Sequence, residues 1–181
     1  MIFDVKMEDF RRKAIYVAGG HMKNTPPTIT YARVVGRETF QIALTLAALN
    51  GLEVNAGDIE NAYVTAPVTK KIWTKLGEEF GADAGNKAII VRALYGFKSS
   101  GTAFRNHLDD CMRHIVYASC LADPHLWMKP TTKVNSEHYY SYILNCVHDV
   151  LVISEESGPI LTRLDKYFKL KAGSVGPPTN Y

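Results

Sequence analysis

Apolar positions fall into two rhythms along the chain. Between Glu38 and Asn50, Phe40, Leu44 and Ala47 share one stripe, and Asn50-Gly51 is a good C-terminal stop, so a helix is expected there. A longer helix is expected from about Ser100 to Ile115, with Ala103, Phe104, Leu108, Cys111, Met112 and Ile115 on its inner face. Ile160 to Phe168 reads as a last amphipathic helix. Between these, Ile2 to Val17 reads as one or two charged strands ending at Gly19-Gly20, and Asn24-Thr25-Pro26-Pro27 as a loop. Leu52 to Tyr63 reads as a strand that turns around Asp58, and Ala88 to Leu94 as a buried strand closed by Tyr95-Gly96. Leu126 to Lys129, Tyr139 to Cys146 and Val150 to Ile153 complete the strands, which puts His148-Asp149 at or near a hairpin turn. Thr69 to Lys87, with glycines at 77, 81 and 85, reads as loop with a short helical piece, and Gly173 to Tyr181 as a frayed tail.

After the first helix the order is strand, helix, strand, strand, helix. That order predicts an α+β fold built on a ferredoxin-like split βαβ antiparallel sheet with helices on one face. Many functions share this plan, so chemistry has to come from particular residues.

Composition narrows the class. In 181 residues, 46% are apolar and 22% charged, an ordinary globular balance that argues against disorder. The longest mainly apolar stretch, Ile42 to Leu49, falls far short of the roughly 20 residues of a membrane span, and Tyr142 to Leu144 is shorter still. No apolar signal-peptide region is found at the N-terminus. Cys111, Cys120 and Cys146 form no CxxC pair, which points to reduced thiols inside a cell and to neither a disulfide framework nor a zinc site. Residues 1–37 hold seven basic and three acidic residues, whereas the rest is nearly neutral. A basic N-terminal lobe suits a polyanion such as a nucleic acid or nucleotide, and equally suits a solvated surface.

Candidate chemistry lies in two turns. Asp58 ends a strand in the run Asp58-Ile59-Glu60-Asn61-Ala62-Tyr63, and His148-Asp149 caps the apolar hairpin. In the expected sheet these tips lie side by side, so their carboxylates can hold hard divalent cations through oxygen. Two such ions roughly 3.5–4 Å apart can clamp the oxygens of an in-line phosphoryl displacement. An acid at a strand end is far more often an ordinary turn residue, so neighbouring motifs carry the weight.

Those motifs resemble the copia-type LTR retrotransposon reverse transcriptases. Lys13-Ala14-Ile15-Tyr16-Val17-Ala18-Gly19-Gly20 resembles the family's KARLVAKG stretch, and Asp58 to Tyr63 its DVKTAF motif. Ala93-Leu94-Tyr95-Gly96-Phe97-Lys98 resembles ALYGLK, and Val147-His148-Asp149 the VDD of its YVDD box. The four occur in family order across most of the chain. The resemblance implies an RNA-directed DNA polymerase: fingers over about 1–50, palm with an inserted fingers portion over about 51–172, and the tail over 173–181. It implies a right-hand palm using two Mg²⁺ (or Mn²⁺) ions held by Asp58 and Asp149. Ile59, Tyr63, Lys13, Lys98 and Ser99 would surround the nucleotide, with Tyr63 under its sugar. Arg11, Arg12 and Arg37 would lie near triphosphate or template. The implied partners are an RNA or DNA template-primer and a dNTP, with no membrane. The implied location is cytoplasmic, within a virus-like particle. Thumb, RNase H and integrase domains are absent from this stretch, as expected of a polyprotein fragment.

Departures from the family pattern bear on activity. His148 stands where the family has a metal-binding aspartate, Ile15 where it has an arginine, Ser99 where many members have glutamine, and Cys146 where it has tyrosine. An imidazole removes a negative charge and suits Zn, Cu or Ni better than Mg. Losing a charge stabiliser from an active site costs ~10²–10³ in rate, and a metal ligand at least that. The expectation is therefore a catalytically crippled polymerase domain. The alternatives are a non-catalytic nucleic-acid-binding remnant and an unrelated ferredoxin-like interaction module. A metal phosphohydrolase of the HD type is rejected, because it displays its ligands from helices.

Overall fold

The computed structural model describes residues 2–5, 12–18 and 34–178, apart from the side chains of residues 3, 4, 13 and 69. The Asn24–Pro27 loop, Gly19-Gly20 and Arg11 therefore lie outside the described residues. The chain forms two compact units, Met1–Tyr31 with Tyr63–His107, and Ala32–Ala62 with Leu108–Tyr181.

In the first unit, strands β1 (Ile2–Val5) and β2 (Arg12–Ile15) pair antiparallel. Val17 then bridges Tyr95 in parallel, and the Ala18 amide donates to the Tyr95 carbonyl at 2.7 Å. This sets two of the sequence motifs side by side. Gly96, at φ 89°, makes the approach feasible, since a Cβ there would run into the Ala18 carbonyl oxygen.

The segment 69–87 departs from the expected loop. Pro67–Lys75 is a strand, β4, followed by a 3-10 turn at Glu78–Asp83 and by β5 (Lys87–Arg92). The two strands pair antiparallel, with Trp73 opposite Ile89 and Lys75 opposite Lys87. Ala88 to Leu94 is consequently not a buried strand: Lys87, Ile89, Val91 and Arg92 are exposed. Among the described residues the ribbon has no third strand to cover this face.

The second unit carries a five-stranded sheet. Helix α1 (Arg37–Leu49) leads into β3 (Glu53–Asp58), and the short helix α2 (Ala62–Thr65), which passes into the first unit at Tyr63, follows. Helix α3 spans Ser100–His114, and the remaining strands are β6 (Ala118–Ser119), β7 (Leu126–Thr132), β8 (His138–Cys146) and β9 (Asp149–Ser154). Helix α4 covers Ser157–Asp165, starting before the expected Ile160 because Pro159 fits a first helical turn. The strand order is β3-β9-β8-β7-β6, antiparallel throughout.

Every residue from Val150 to Ser154 is buried, so both faces of the sheet must be covered. On one face Ala56, Leu144, Leu151 and Ile153 pack with Ala43 and Ala47 of α1. On the other, Gly57 lies beneath Leu161 of α4, and Asn55 bonds Ser157 at 2.6 Å. Helix α1, which precedes the split βαβ order, thus lies on the face opposite α4.

Residues 169–176, part of which was expected to fray, bind back along β3. Ala56 and Gly176 exchange backbone hydrogen bonds at 2.7 and 3.2 Å, and the Glu60 amide donates to the Lys169 carbonyl at 2.8 Å. Among the described residues no helix is long and apolar enough to cross a membrane.

Candidate metal centre

Asp58 is the last residue of β3 and Asp149 the first of β9, and they are register partners. The apolar strands enforce this match. A slip of one residue would turn Leu151 and Ile153 away from α1 and send their neighbours into its place. Opposed like charges destabilise a sheet, so neutralising groups are to be sought nearby.

His148 is one such group. With Val147 it forms the turn between β8 and β9, and Val147 takes φ 57°, a left-handed conformation that is strained for a β-branched residue. The turn is fixed from behind by the Ile59 amide, which donates to the His148 carbonyl at 2.9 Å. The half-exposed imidazole then stands with Nε2 4.0 Å from Asp58 Oδ1 and 3.9 Å from Asp149 Oδ2. Both distances exceed hydrogen-bond length, so the attraction is electrostatic and acts when the ring is protonated.

Lys171 is the second. Its Nζ lies 3.3 Å from Asp58 Oδ2, and its amide donates to the Asp58 carbonyl at 2.8 Å. The Asp58 amide in turn donates to Ser174 Oγ at 3.0 Å. Neither Lys171 nor Ser174 stands out in the sequence, because each lies more than a hundred residues from Asp58 and carries no local motif.

Burial pushes the Asp149 carboxyl above its ordinary range, His148 pulls it down, Asp58 raises it further and Lys171 lowers it. Cys146, opposite Asp149, is raised to about 11 by burial and by the charges of Asp149 and Asp123, so it is a neutral thiol at physiological pH. Donor atoms of Asp58, His148 and Asp149 all lie within 4.8 Å of one another.

The other residues implied by the resemblance are placed differently. Ile59 is buried directly behind Asp58 and meets the site through its backbone. Tyr63, Lys98 and Ser99 belong to the first unit. There Tyr63 packs its ring 4.9 Å from Tyr95 and 6.1 Å from Phe104, Lys98 is exposed, and the Ser99 carbonyl accepts from the Ala103 amide at the start of α3. Lys13 lies on β2 with its side chain outside the described residues.

The donor set does not fit the pair of magnesium ions that the resemblance implies. Mg²⁺ requires near-octahedral oxygen at 2.0–2.1 Å, and one of three donors is nitrogen. An acid that bridges two ions uses both oxygens, whereas Asp58 Oδ2 already faces an ammonium.

No family model matches the chain, and no solved structure matches it. It is 24% identical over 180 residues to the retrovirus-related Pol polyprotein from transposon TNT 1-94 of Nicotiana tabacum. The match covers 96% of this chain, which spans 13% of that polyprotein's length. This similarity supports an origin in the Pol polyprotein of a copia-type retrotransposon.

Proposed function

We propose that the chain is the fingers and palm of a copia-type reverse transcriptase, an RNA-directed DNA polymerase whose nucleotidyl-transfer centre no longer holds its magnesium ions. What carries the reading is the juxtaposition of Asp58 and Asp149 as partners on adjacent strand tips, with residue 148 as the third corner. Phosphoryl transfer is chiefly positioning and charge neutralisation, so such a corner of acids is what it requires. His148 supplies neither the charge nor the oxygen, and Ile15 lacks the positive charge expected near a triphosphate.

Primer extension tests the reading, with the chain joined to the thumb of an active relative so that primer grip is not limiting. The unmodified chain is expected to extend nothing with Mg²⁺. His148→Asp restores weak extension, and adding Ile15→Arg lowers the nucleotide requirement, more than additively because both act on one nucleotide–metal complex. Extension by the unmodified chain at the level of the double variant would refute the loss of the centre. A silent double variant would remove the polymerase reading's support.

A second reading, a metal-independent nucleic-acid-binding remnant, is favoured by the β4–β5 ribbon. Its outer face exposes Lys71, Trp73, Lys75, Lys87, Ile89 and Val91. Lys75 and Lys87 are directly opposed, and among the described residues none of the three lysines forms an ion pair. A polyanion relieves that repulsion, and an exposed indole stacks on bases for about 1–3 kcal/mol. Trp127 is only 1% exposed, so quenching of tryptophan emission by a single-stranded oligonucleotide in EDTA reports Trp73. Quenching should fall with salt at a log–log slope of roughly −2, from three phosphates on a single strand. Trp73→Ala should abolish it, and salt-independent quenching would reject this surface.

A further inference from the structure

We propose that Asp58, His148 and Asp149 form a site for one borderline divalent transition ion of the zinc class, in place of two magnesium ions. The inference rests on donor atoms within the second unit and does not require that the chain descend from a polymerase.

Two features of the cluster select the ion. One imidazole nitrogen and two carboxylate oxygens form a mixed set that zinc accepts, with a fourth position open to water. Charge balance agrees, since two carboxylates and a neutral imidazole carry two negative charges and match a single dication. A pair of dications would leave two positive charges uncompensated beside Lys171.

Geometry selects the number of ions. Zinc bonds of 2.0–2.1 Å at tetrahedral angles set donors about 3.3 Å apart. Nε2 stands 4.0 and 3.9 Å from its two oxygens and all three donors lie within 4.8 Å of one another, so closure needs movements of no more than about 1.5 Å from side chains that reach the protein surface. Asp58 divides its oxygens: Oδ1 faces His148, and Oδ2 faces the Lys171 ammonium, which repels any second cation. Backbone contacts preset the third ligand, because Val147 at φ 57° turns the chain and the Ile59 amide holds the His148 carbonyl. Among first-row ions, a nitrogen donor shifts preference toward Co, Ni, Cu and Zn and away from oxygen-seeking Mg and Mn.

The full chain, stripped of metal by chelation, is titrated with Co²⁺, whose visible ligand-field bands report a four-coordinate nitrogen–oxygen site. Zn²⁺ is then added as competitor and measured by calorimetry. The expected result is one ion per chain, cobalt bands bleached by stoichiometric zinc, and no displacement by a large excess of Mg²⁺. His148→Ala and Asp149→Asn should each weaken zinc by at least ~10-fold, while His138→Ala, at an exposed histidine on β8, leaves it unchanged. His148→Asp should invert the preference toward Mg²⁺ and Mn²⁺. Far-ultraviolet circular dichroism on each variant keeps folding apart from binding, and His148→Gln supplies a second variant if the alanine form is unfolded. Zinc binding that survives both His148→Ala and Asp149→Asn overturns the site, as does zinc no tighter than magnesium. Two ions lost together in those variants overturn the single-ion assignment. None of these measurements reads nucleotide transfer, so failure of the polymerase reading and failure of this one are separable.

Discussion

Replacing His148 by aspartate should change stability in opposite directions with and without magnesium. In EDTA the new carboxylate joins Asp58 and Asp149 on one corner and creates two like-charge pairs. The present imidazole stands 4.0 and 3.9 Å from those oxygens, and unit charges about 4 Å apart interact by about 1 kcal/mol in bulk water. The residue 148 side chain is 52% exposed and Lys171 offsets part of the repulsion, so the two pairs together should cost about 1 kcal/mol and not the full sum. With a denaturant slope of about 1–3 kcal/mol/M in urea, the midpoint should fall by roughly 0.5 M. The unfolding probe is Trp127, 1% exposed in the second unit and covered by Arg113 at 5.6 Å. At 1 M salt, where screening acts within about 3 Å, the gap should close. Magnesium at a hundred times its dissociation constant should then stabilise the aspartate form by about 2.7 kcal/mol and leave the histidine form unmoved. Equal midpoints in EDTA, or the same magnesium shift in both proteins, would refute this electrostatic account of the corner.

Two further perturbations test the framework around the site. Burial raises the Asp123 carboxyl, but the Gly36 and His125 amides and the Thr39 hydroxyl outweigh it and hold the group below its ordinary 3.8. A depressed acid contributes stability that is present above 3.8 and lost as pH falls through the folded value. Asp123→Ala should therefore cost about 1 kcal/mol at pH 7 by urea unfolding, after discounting for the group's partial exposure, and the cost should shrink once pH falls below the folded value. Positive φ angles predict opposite signs at two turns. Val147→Gly should stabilise by about 0.5–1 kcal/mol, whereas Gly96→Ala should destabilise the first unit, as read by proteolysis of the ribbon.

Legibility in the sequence followed the strength of local signals. The β8–β9 hairpin was readable because Tyr142–Leu144 and Val150–Ile153 are apolar runs flanking one polar dipeptide, and that also located two of the three cluster members. The β4–β5 ribbon is harder to read, because the glycines at 77, 81 and 85 suggest loop. The alternation Lys71-Ile72-Trp73-Thr74-Lys75 against Ala88–Val91 was the usable signal, and it points to a hairpin with one wet face. Lys171 was not readable at all, since its partner lies 113 residues away and no spacing rule links them. That α1 and α4 take opposite faces was hinted at only by the unbroken apolar run of β9, which a sheet covered on one side would not need.

The segment 169–176 also has a bearing on solubility. β3 is the terminal strand of its sheet, and its outward-facing amides and carbonyls at Ala56, Asp58 and Glu60 are taken up by Gly176, Ser174, Lys171 and Lys169. A bare row of such groups is a template on which another chain can add a strand. This short stretch, with two lysines in it, caps the row and charges its rim. A chain shortened before Lys169 would lose the buried Leu170 and also expose an adhesive edge, so edge-to-edge aggregation should accompany its loss of stability.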